Sequence, residues 1–429
     1  MKLFSSKNSL FFLFVFFAFV VKCYLLFQIN NTDFSNEIAY NNGDAGHYLR
    51  IAKNINEFHV YSDNNSTVPT ENATWRPPLW PFLLSLFFIF TSNIFYLMIG
   101  KVVLEFVLLL GCLYLFKRKS ELKALSFLPF FLILMEPYYL KYSITFLSES
   151  TTSVLILLLS IVFINLNATK RYSVFVPIVA GLIVLCHPVS IFFVLTLMAI
   201  YLILNLKYNL KIAIAHGLLF CLIVGSWTYR NHVTFNKGFY LTASQGATFS
   251  KGWNEKVYTQ FTNVDGDLAD ESINLKYVDK KITDTSNLSV LELSKLYREG
   301  TLNYIKTLSV KETSQIALKK IQSNFNPFPE KPKSGILETA AIFFRILYLI
   351  LFVQLFFRIF NKVKINFDNQ RDKVFMVVFS VLNGQILMSV YVYTGFRFNA
   401  VYAIVLLFCF IYVNSNWFLQ KIQKNKLEF

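Results

Sequence analysis

Charged residues are scarce in this chain: Asp, Glu, Lys and Arg make up 15% of its 429 residues, against about a quarter in soluble domains. Hydrophobic residues make up 55%, and Phe alone contributes 47. The apolar residues fall into blocks of about 17–24, which is the helix length that crosses a hydrocarbon core of roughly 30 Å. Continuous runs exclude the alternating pattern of a membrane barrel. We therefore predict an all-α polytopic membrane protein.

Cysteine pairs with metal-ligand or disulfide spacing are also lacking, and acidic residues are few. The five cysteines lie inside or at the edges of apolar blocks, and 41 Lys and Arg against 25 Asp and Glu give a net charge of +16. The basic residues cluster in short segments between apolar blocks, which is the positive-inside pattern. We therefore expect them to contact anionic lipid headgroups, and we expect no nucleic acid partner. The N-terminal apolar run Leu10–Phe27 lacks a small-residue cleavage site, so we predict a retained first span.

Ten spans place every basic loop on the cytoplasmic side. We predict them at about residues 9–28, 95–116, 124–140, 143–165, 172–187, 189–206, 211–228, 338–361, 373–392 and 398–416. Counting 77–90 as a further span would put Lys117-Arg118-Lys119 outside. Since prolines favour a helix start and Trp80 prefers the headgroup level, we predict an interfacial helix at 77–90.

The predicted organisation has three parts. An N-terminal transmembrane module, 1–228, carries the first outer loop, 29–75, and the interfacial helix, 77–90. An outer segment follows at 229–335, with helical periodicity near Leu291–Leu308. A C-terminal transmembrane module covers 336–429. The middles of the spans carry almost no charge, which argues against an ion-coupled transporter with a site at the midplane.

Polar residues gather at the outer ends of the predicted spans. Ionisable groups near hydrocarbon usually face a cavity or a partner, so this clustering predicts a site that opens outward. From helical rise we place Glu149 about 9 Å down its span. The set comprises Asp44, His47, Arg76, Glu136, Lys141, Glu149, His187, Arg230 and Arg397.

Several short motifs follow one another along the chain: Gly43-Asp44-Ala45-Gly46-His47-Tyr48-Leu49-Arg50-Ile51-Ala52, Arg76-Pro77-Pro78-Leu79-Trp80-Pro81-Phe82-Leu83-Leu84, the stretch from Glu136-Pro137 through Leu147-Ser148-Glu149-Ser150, His187-Pro188, Ser226-Trp227-Thr228-Tyr229-Arg230-Asn231 and Gly395-Phe396-Arg397-Phe398. In this order they resemble motifs of GT-C glycosyltransferases, and specifically of the protein O-mannosyltransferase-like group, glycosyltransferase family 39. The resemblance covers roughly residues 1–260 and 373–416. Ser226 stands where the family has proline, and the proline that usually follows Arg397 is missing.

The resemblance implies a GT-C-like bundle of about ten helices with juxtamembrane helices on its outer face. It implies transfer of a sugar from a polyprenyl-phosphate donor to an acceptor hydroxyl, with inversion, at the outer membrane face. Asp44 matches the family's general base. Glu149 is a second catalytic candidate that binds substrate hydroxyls, helps Asp44 hold a divalent metal, or only accepts hydrogen bonds within the bundle.

Further residues are candidates for substrate binding. Cationic side chains hold a phosphate leaving group by charge-assisted hydrogen bonds, which makes Arg397, Arg230, Lys141 and Arg76 candidates for the donor phosphate. We take His47, Tyr48 and His187 as candidates for substrate binding. Each has a simpler reading: Asp44 as a turn residue, the cations as headgroup contacts and the histidines as hydrogen-bonded boundary residues.

Rival functions fit the same sequence. A lipid-linked polysaccharide polymerase or ligase shares the lipid-phosphate substrate, although its expected arginine-rich outer loop is missing. A lipid or solute transporter calls for polar residues across the midplane or broken helices in paired halves. A non-catalytic membrane scaffold predicts that Asp44 is replaceable. The Asn, Lys and Phe bias favours a bacterial inner membrane, with the site facing the periplasm.

Overall fold

The structure is a computed structural model, which describes residues 17, 20–22, 24, 43–119, 132–166, 173–206, 209–259, 270–278, 285, 287–326, 336–361, 367, 369–392 and 396–427. The described elements are helical, without a strand among them. The helices of the first half are α1 (Gly43–Phe58), α2 (Leu79–Phe88), α3 (Ile94–Lys119), α4 (Pro137–Ser143), α5 (Glu149–Ile164), α6 (Phe175–Cys186), α7 (Ile191–Leu206) and α8 (Leu210–Phe235).

The second half contains the outer segment and three long helices. The outer segment holds α9 (Gln245–Gly252), α10 (Glu255–Thr259), α11 (Val290–Thr307) and α12 (Val310–Phe325), and the chain ends in α13 (Ile336–Phe360), α14 (Gln370–Tyr391) and α15 (Phe396–Leu427). Three 3₁₀ helices complete the described elements, at Asn72–Trp75, Pro188–Ser190 and Glu271–Tyr277. The periodicity near Leu291–Leu308 is confirmed as α11. This helix begins with a reciprocal cap between Ser289 and Glu292.

In the described part of the chain, five stretches are long and apolar enough to cross a membrane: Ile94–Phe116, Pro188–Leu206, Leu210–Phe235, Thr339–Phe360 and Gln370–Tyr391. Four shorter apolar helices accompany them, at Leu79–Phe88, Glu149–Ile164, Phe175–Cys186 and Phe398–Asn414. The count of ten spans stays a prediction. The predicted first span, 9–28, lies almost entirely outside the described residues.

Helix α5 lies at the centre of the bundle. All of its residues except Leu158 and Val162 are buried, and it packs against α3, α6 and α15. A helix that is apolar on every side belongs inside a bundle. The residues at its start, Glu149 to Ser153, are polar and buried. One end of α5 therefore places polar side chains in the core.

The predicted span 124–140 is wrong as a continuous helix, and the helix within the predicted span 143–165 begins only at Glu149. Glu136 is extended (φ −64°, ψ 124°) and caps α4, and Pro137 begins that helix. Proline cannot continue a helix because it lacks the N–H and clashes with the preceding turn. After Ser143 a non-helical turn, residues 144–148, leads into α5. Glu149 therefore lies in the first turn of a helix and not about 9 Å down a span.

Candidate functional site

A cavity of about 380 Å³ lies where α1, the His187–Phe192 corner, the ends of α14 and α15, and the outer segment meet. Asp44, Tyr48, Arg76 and His187 line it from the first half of the chain. The outer segment contributes polar side chains, which are Thr242, Ser244, Gln245, Thr248 and Lys251. The remaining wall is largely apolar and includes Phe192, Met388, Tyr391 and Phe398. An apolar pocket with a few convergent polar groups is the usual form of a ligand site.

Asp44 lies in the first turn of α1 and not in a loop as its motif suggested. Gly43 precedes it with φ +39°, a left-handed conformation that glycine adopts at little cost. The Arg76 guanidinium forms an ion pair with Asp44, through Nη2. Arg76 Nε also donates to His47 Nδ1 at 3.2 Å. Arg76 therefore joins two of the predicted site residues, and its own charge is balanced by Asp44.

His47 is buried behind this pair and does not line the cavity. Its Nε2 lies 3.5 Å from Asp63 Oδ2. Burial, opposed by the contact with Asp63 and aided by the Arg76 charge, lowers the pKa of His47. Burial alone would raise the pKa of Asp63, but bonds from His47, Thr70 and Asn72 hold it well below its usual range. At neutral pH His47 is thus an uncharged acceptor for Arg76, with its proton on the nitrogen that faces Asp63.

His187 and Glu149 form a second polar pair, of which His187 lines the cavity. His187 ends α6 in an extended conformation (φ −150°, ψ 107°), as expected of a residue before proline. Its Nε2 lies 3.7 Å from Glu149 Oε1, and the Glu149 side chain has no solvent exposure. Among the described residues His187 Nδ1 has no hydrogen-bond partner, although the residue is only 6% exposed. His187 Nδ1 is therefore a buried nitrogen without a hydrogen-bond partner in a residue that lines the cavity.

Tyr48 lies between the two pairs. Its hydroxyl and Ser148 Oγ are 3.2 Å apart, and its ring lies 5.4 Å from the Arg76 guanidinium carbon. Burial raises the pKa of Tyr48 to about 12. Its hydroxyl therefore stays protonated at neutral pH and contributes hydrogen bonds to this wall.

Two of the predicted phosphate ligands lie outside the cavity. Arg230 stacks on aromatic rings, with its guanidinium carbon 5.1 Å from the Trp227 ring centre and 5.5 Å from that of Tyr61. Lys141 is exposed, 5.6 Å from the Tyr142 ring centre. Arg397 lies in the first turn of α15, but its side chain is outside the described residues; the next residue, Phe398, lines the cavity.

The structure brings in residues that the sequence analysis missed. Lys251 of α9 lines the cavity, with Nζ 3.1 Å from Glu271 Oε2. Lys101 and Glu105 of α3 are fully buried and 3.7 Å apart, which corrects the expectation that the middles of the spans are nearly free of charge. A Lys-Glu pair four residues apart within an apolar block was the signal for this pair. Nothing in the sequence around Lys251 distinguishes it from other surface lysines.

The described residues contain no group of three or more His, Cys, Asp or Glu side chains that could hold a metal ion. Asp44 pairs with Arg76, and Glu149 lies beside His187. We therefore derive no step through a metal. Searches against protein-family models, curated proteins and solved structures find no match to this chain.

Proposed function

We propose that this chain is a multi-pass membrane glycosyltransferase of the GT-C type, with about ten spans, acting at the outer face of a bacterial inner membrane. It moves a sugar from a polyprenyl-phosphate donor to an acceptor hydroxyl. The observation that carries this proposal is a single cavity lined by a carboxylate, Asp44, an imidazole, His187, and the Tyr48 side chain. Sugar transfer calls for such a set, because an acceptor hydroxyl needs a proton acceptor before it attacks.

The chemistry follows from the lining residues. Asp44 accepts the proton of the acceptor hydroxyl as that oxygen forms its bond to the anomeric carbon. The bond from that carbon to the phosphate oxygen breaks, and the polyprenyl phosphate leaves with the electron pair. Among the described lining residues Asp44 is the one carboxylate. A retaining double displacement needs a second carboxylate as nucleophile, so the geometry favours a single displacement with inversion.

The other predicted residues take supporting roles in this proposal. Arg76 orients Asp44 through their ion pair, and the rest of its guanidinium donates hydrogen bonds to the leaving phosphate. Lys251 adds a second cationic side chain to the lining of the cavity. His187 Nδ1, supported from behind by Glu149, binds a substrate hydroxyl. Membrane lipid surrounds the apolar helices, and the proposed donor reaches the cavity from the bilayer because its isoprenoid tail stays in hydrocarbon.

The test is transfer by the purified chain in proteoliposomes, supplied with radiolabelled polyprenyl-phosphate glucose, mannose and xylose. Sugar released to an acceptor or to water is measured for the parent and for Asp44→Asn. The substitution keeps an oxygen for Arg76 and removes the base, so we expect a loss of about 10²–10⁴-fold. Glu57→Gln is the matched control, because Glu57 is a half-exposed carboxylate on the same helix, 3.8 Å from Lys53. The control is expected to stay within twofold of the parent.

Two results would contradict the proposal. Full activity of Asp44→Asn removes Asp44 as the base. A parent that turns over none of the three donors removes the transferase assignment. In that case, chain extension of a lipid-linked glycan in the same vesicles would identify the polymerase or ligase alternative, and uptake of intact donor without cleavage would identify a transporter.

A further inference from the structure

The non-helical turn at residues 144–148 is partly buried against the bundle, with Phe146 and Ser148 buried, and unpaired backbone carbonyls are costly there. The turn avoids this cost through two side chains from neighbouring helices. Lys101 Nζ donates to the carbonyl oxygens of Tyr142 at 2.8 Å and Leu147 at 3.0 Å, and also to that of Thr145. Trp80 Nε1 donates to the carbonyl of Phe146 at 2.7 Å. Lys101 therefore uses its three donors on the turn and its immediate flank.

Glu105 balances the Lys101 charge and binds the other side of the same break. Its Oε1 accepts from Ser150 Oγ at 2.6 Å and from Thr151 Oγ1 at 2.9 Å. Neither Lys101 nor Glu105 has any side-chain exposure. A buried ion pair seldom adds stability over apolar residues of the same size, so stability alone does not account for this pair in an apolar helix.

The turn supports both cavity walls at adjacent residues. Ser148 contacts the Tyr48 hydroxyl, and Glu149 lies against His187. Tyr48 and His187 both line the cavity. Any displacement of the turn therefore shifts the partners of two lining residues together.

We propose that Lys101 is a positioning residue of this cavity, which fixes the 144–148 turn so that Glu149 holds His187 and Ser148 holds Tyr48. Lys101 touches no ligand and acts through the turn. Its kinetic consequence rests on the proposed function, but the placement can be measured without any turnover.

The variants remove both charges together, because Lys101→Met alone would leave Glu105 buried and unpaired. Lys101→Met with Glu105→Gln removes the carbonyl donors and keeps an oxygen for Ser150 and Thr151. The control is Arg358→Met with Asp372→Asn, which removes a different ion pair, one that joins α13 and α14. Asp372 lies 16 residues before Met388 of the cavity on α14, or about 24 Å by helical rise.

Cys186 provides a direct readout of the turn. It is fully buried next to His187, and its sulfur lies 3.3 Å from Thr152 Oγ1 in the first turn of α5. In a chain whose other cysteines are replaced by serine, we measure the rate at which a water-soluble maleimide labels Cys186. We expect at least a tenfold faster rate in the Lys101/Glu105 variant and less than a twofold change in the control. Equal rates in the two variants would overturn the proposal.

A second variant covers failure of the first to fold. Lys101→Gln with Glu105→Gln keeps one amide donor for the turn, and we expect a labelling rate between those of the parent and the Lys101→Met variant. A rate equal to that of the parent shows that the three-carbonyl contact does not hold the turn. The same variants are assayed for sugar transfer, where positioning predicts a loss of kcat of at least tenfold with donor KM within twofold. If the parent transfers no sugar, the proposed function fails, while the Cys186 rates still decide the role of Lys101.

Discussion

The pairing of Arg76 with Asp44 gives a sharp energetic prediction. Arg76 makes an ion pair with Asp44 and a hydrogen bond to His47 Nδ1 at 3.2 Å. Hydrogen bonds to charged groups contribute about 1.5–3 kcal/mol each. The Asp44 side chain is 33% exposed, so solvent screening brings its share to the low end. We therefore expect Arg76→Met to cost about 2 kcal/mol in unfolding free energy, of which about 1 kcal/mol is coupling to Asp44.

A double-mutant cycle measures that coupling. Unfolding free energies in mixed micelles are determined for Asp44→Asn, Arg76→Met and the double variant. Coupled residues give a double variant that is less destabilised than the sum of the single variants. Asp44→Asn combined with Lys251→Met is the control, because Lys251 lines the same cavity but pairs with Glu271. Independent sites add to within about 0.3–0.5 kcal/mol.

The result that refutes this reasoning is additivity of Asp44→Asn and Arg76→Met. Additive costs would mean that the ion pair contributes nothing beyond what each side chain obtains from solvent. Coupling of equal size in the Lys251 control would mean that the substitutions act through general loosening of the cavity and not through the pair.

Three further predictions concern the surroundings of the site. Because the pKa of His47 is lowered, the unfolded state binds a proton at low pH that the folded state does not, so the free energy of unfolding should fall as the pH drops below about 6.5. His47→Gln should flatten this pH dependence in thermal unfolding scans, and an unchanged slope would contradict the prediction. Burial lowers the pKa of Lys320 well below its usual value, which predicts an uncharged amine. The carbonyl oxygen of Val390, which Lys320 contacts, also accepts a hydrogen bond from Trp253 Nε1 at 2.7 Å. Lys320→Met should therefore leave the melting temperature equal or higher, and a clear drop would contradict the prediction that the Lys320 amine is uncharged. A Cβ at Gly384 would lie 2.9 Å from Phe193 N, so Gly384→Ala should lower the free energy of unfolding in denaturant by about 1–3 kcal/mol. Gly111 has open space around it, so Gly111→Ala should leave that free energy unchanged.

Composition and block length determined the class of this protein by themselves. An apolar block of about twenty residues has few arrangements other than a helix, so the helices at 94–119, 210–235, 336–360 and 370–391 follow closely from hydropathy. The segment that we predicted to be interfacial, 77–90, contains the helix α2, because the prolines at its start favour helical geometry. In the outer segment, the capping signals at Ser289 and Glu292 made α11 predictable.

Tertiary structure decided which polar residues meet. Asp44, Arg76 and His187 were predictable as a set because their motifs lie at the outer ends of predicted spans, but the ion pair within the set depends on the extended backbone at Arg76. The motif of Arg230 also lies at the outer end of a predicted span. The Arg230 guanidinium, however, lies over aromatic rings outside the cavity. The non-helical turn before Glu149 is held by Lys101 of α3, whose amine contacts carbonyl oxygens more than forty residues away in the sequence. Such long-range contacts are visible only in the tertiary structure. Hydropathy predicts which segments form apolar helices from neighbouring residues alone. A lysine buried in such a helix is stable only where carbonyl oxygens from distant parts of the chain lie close to its amine.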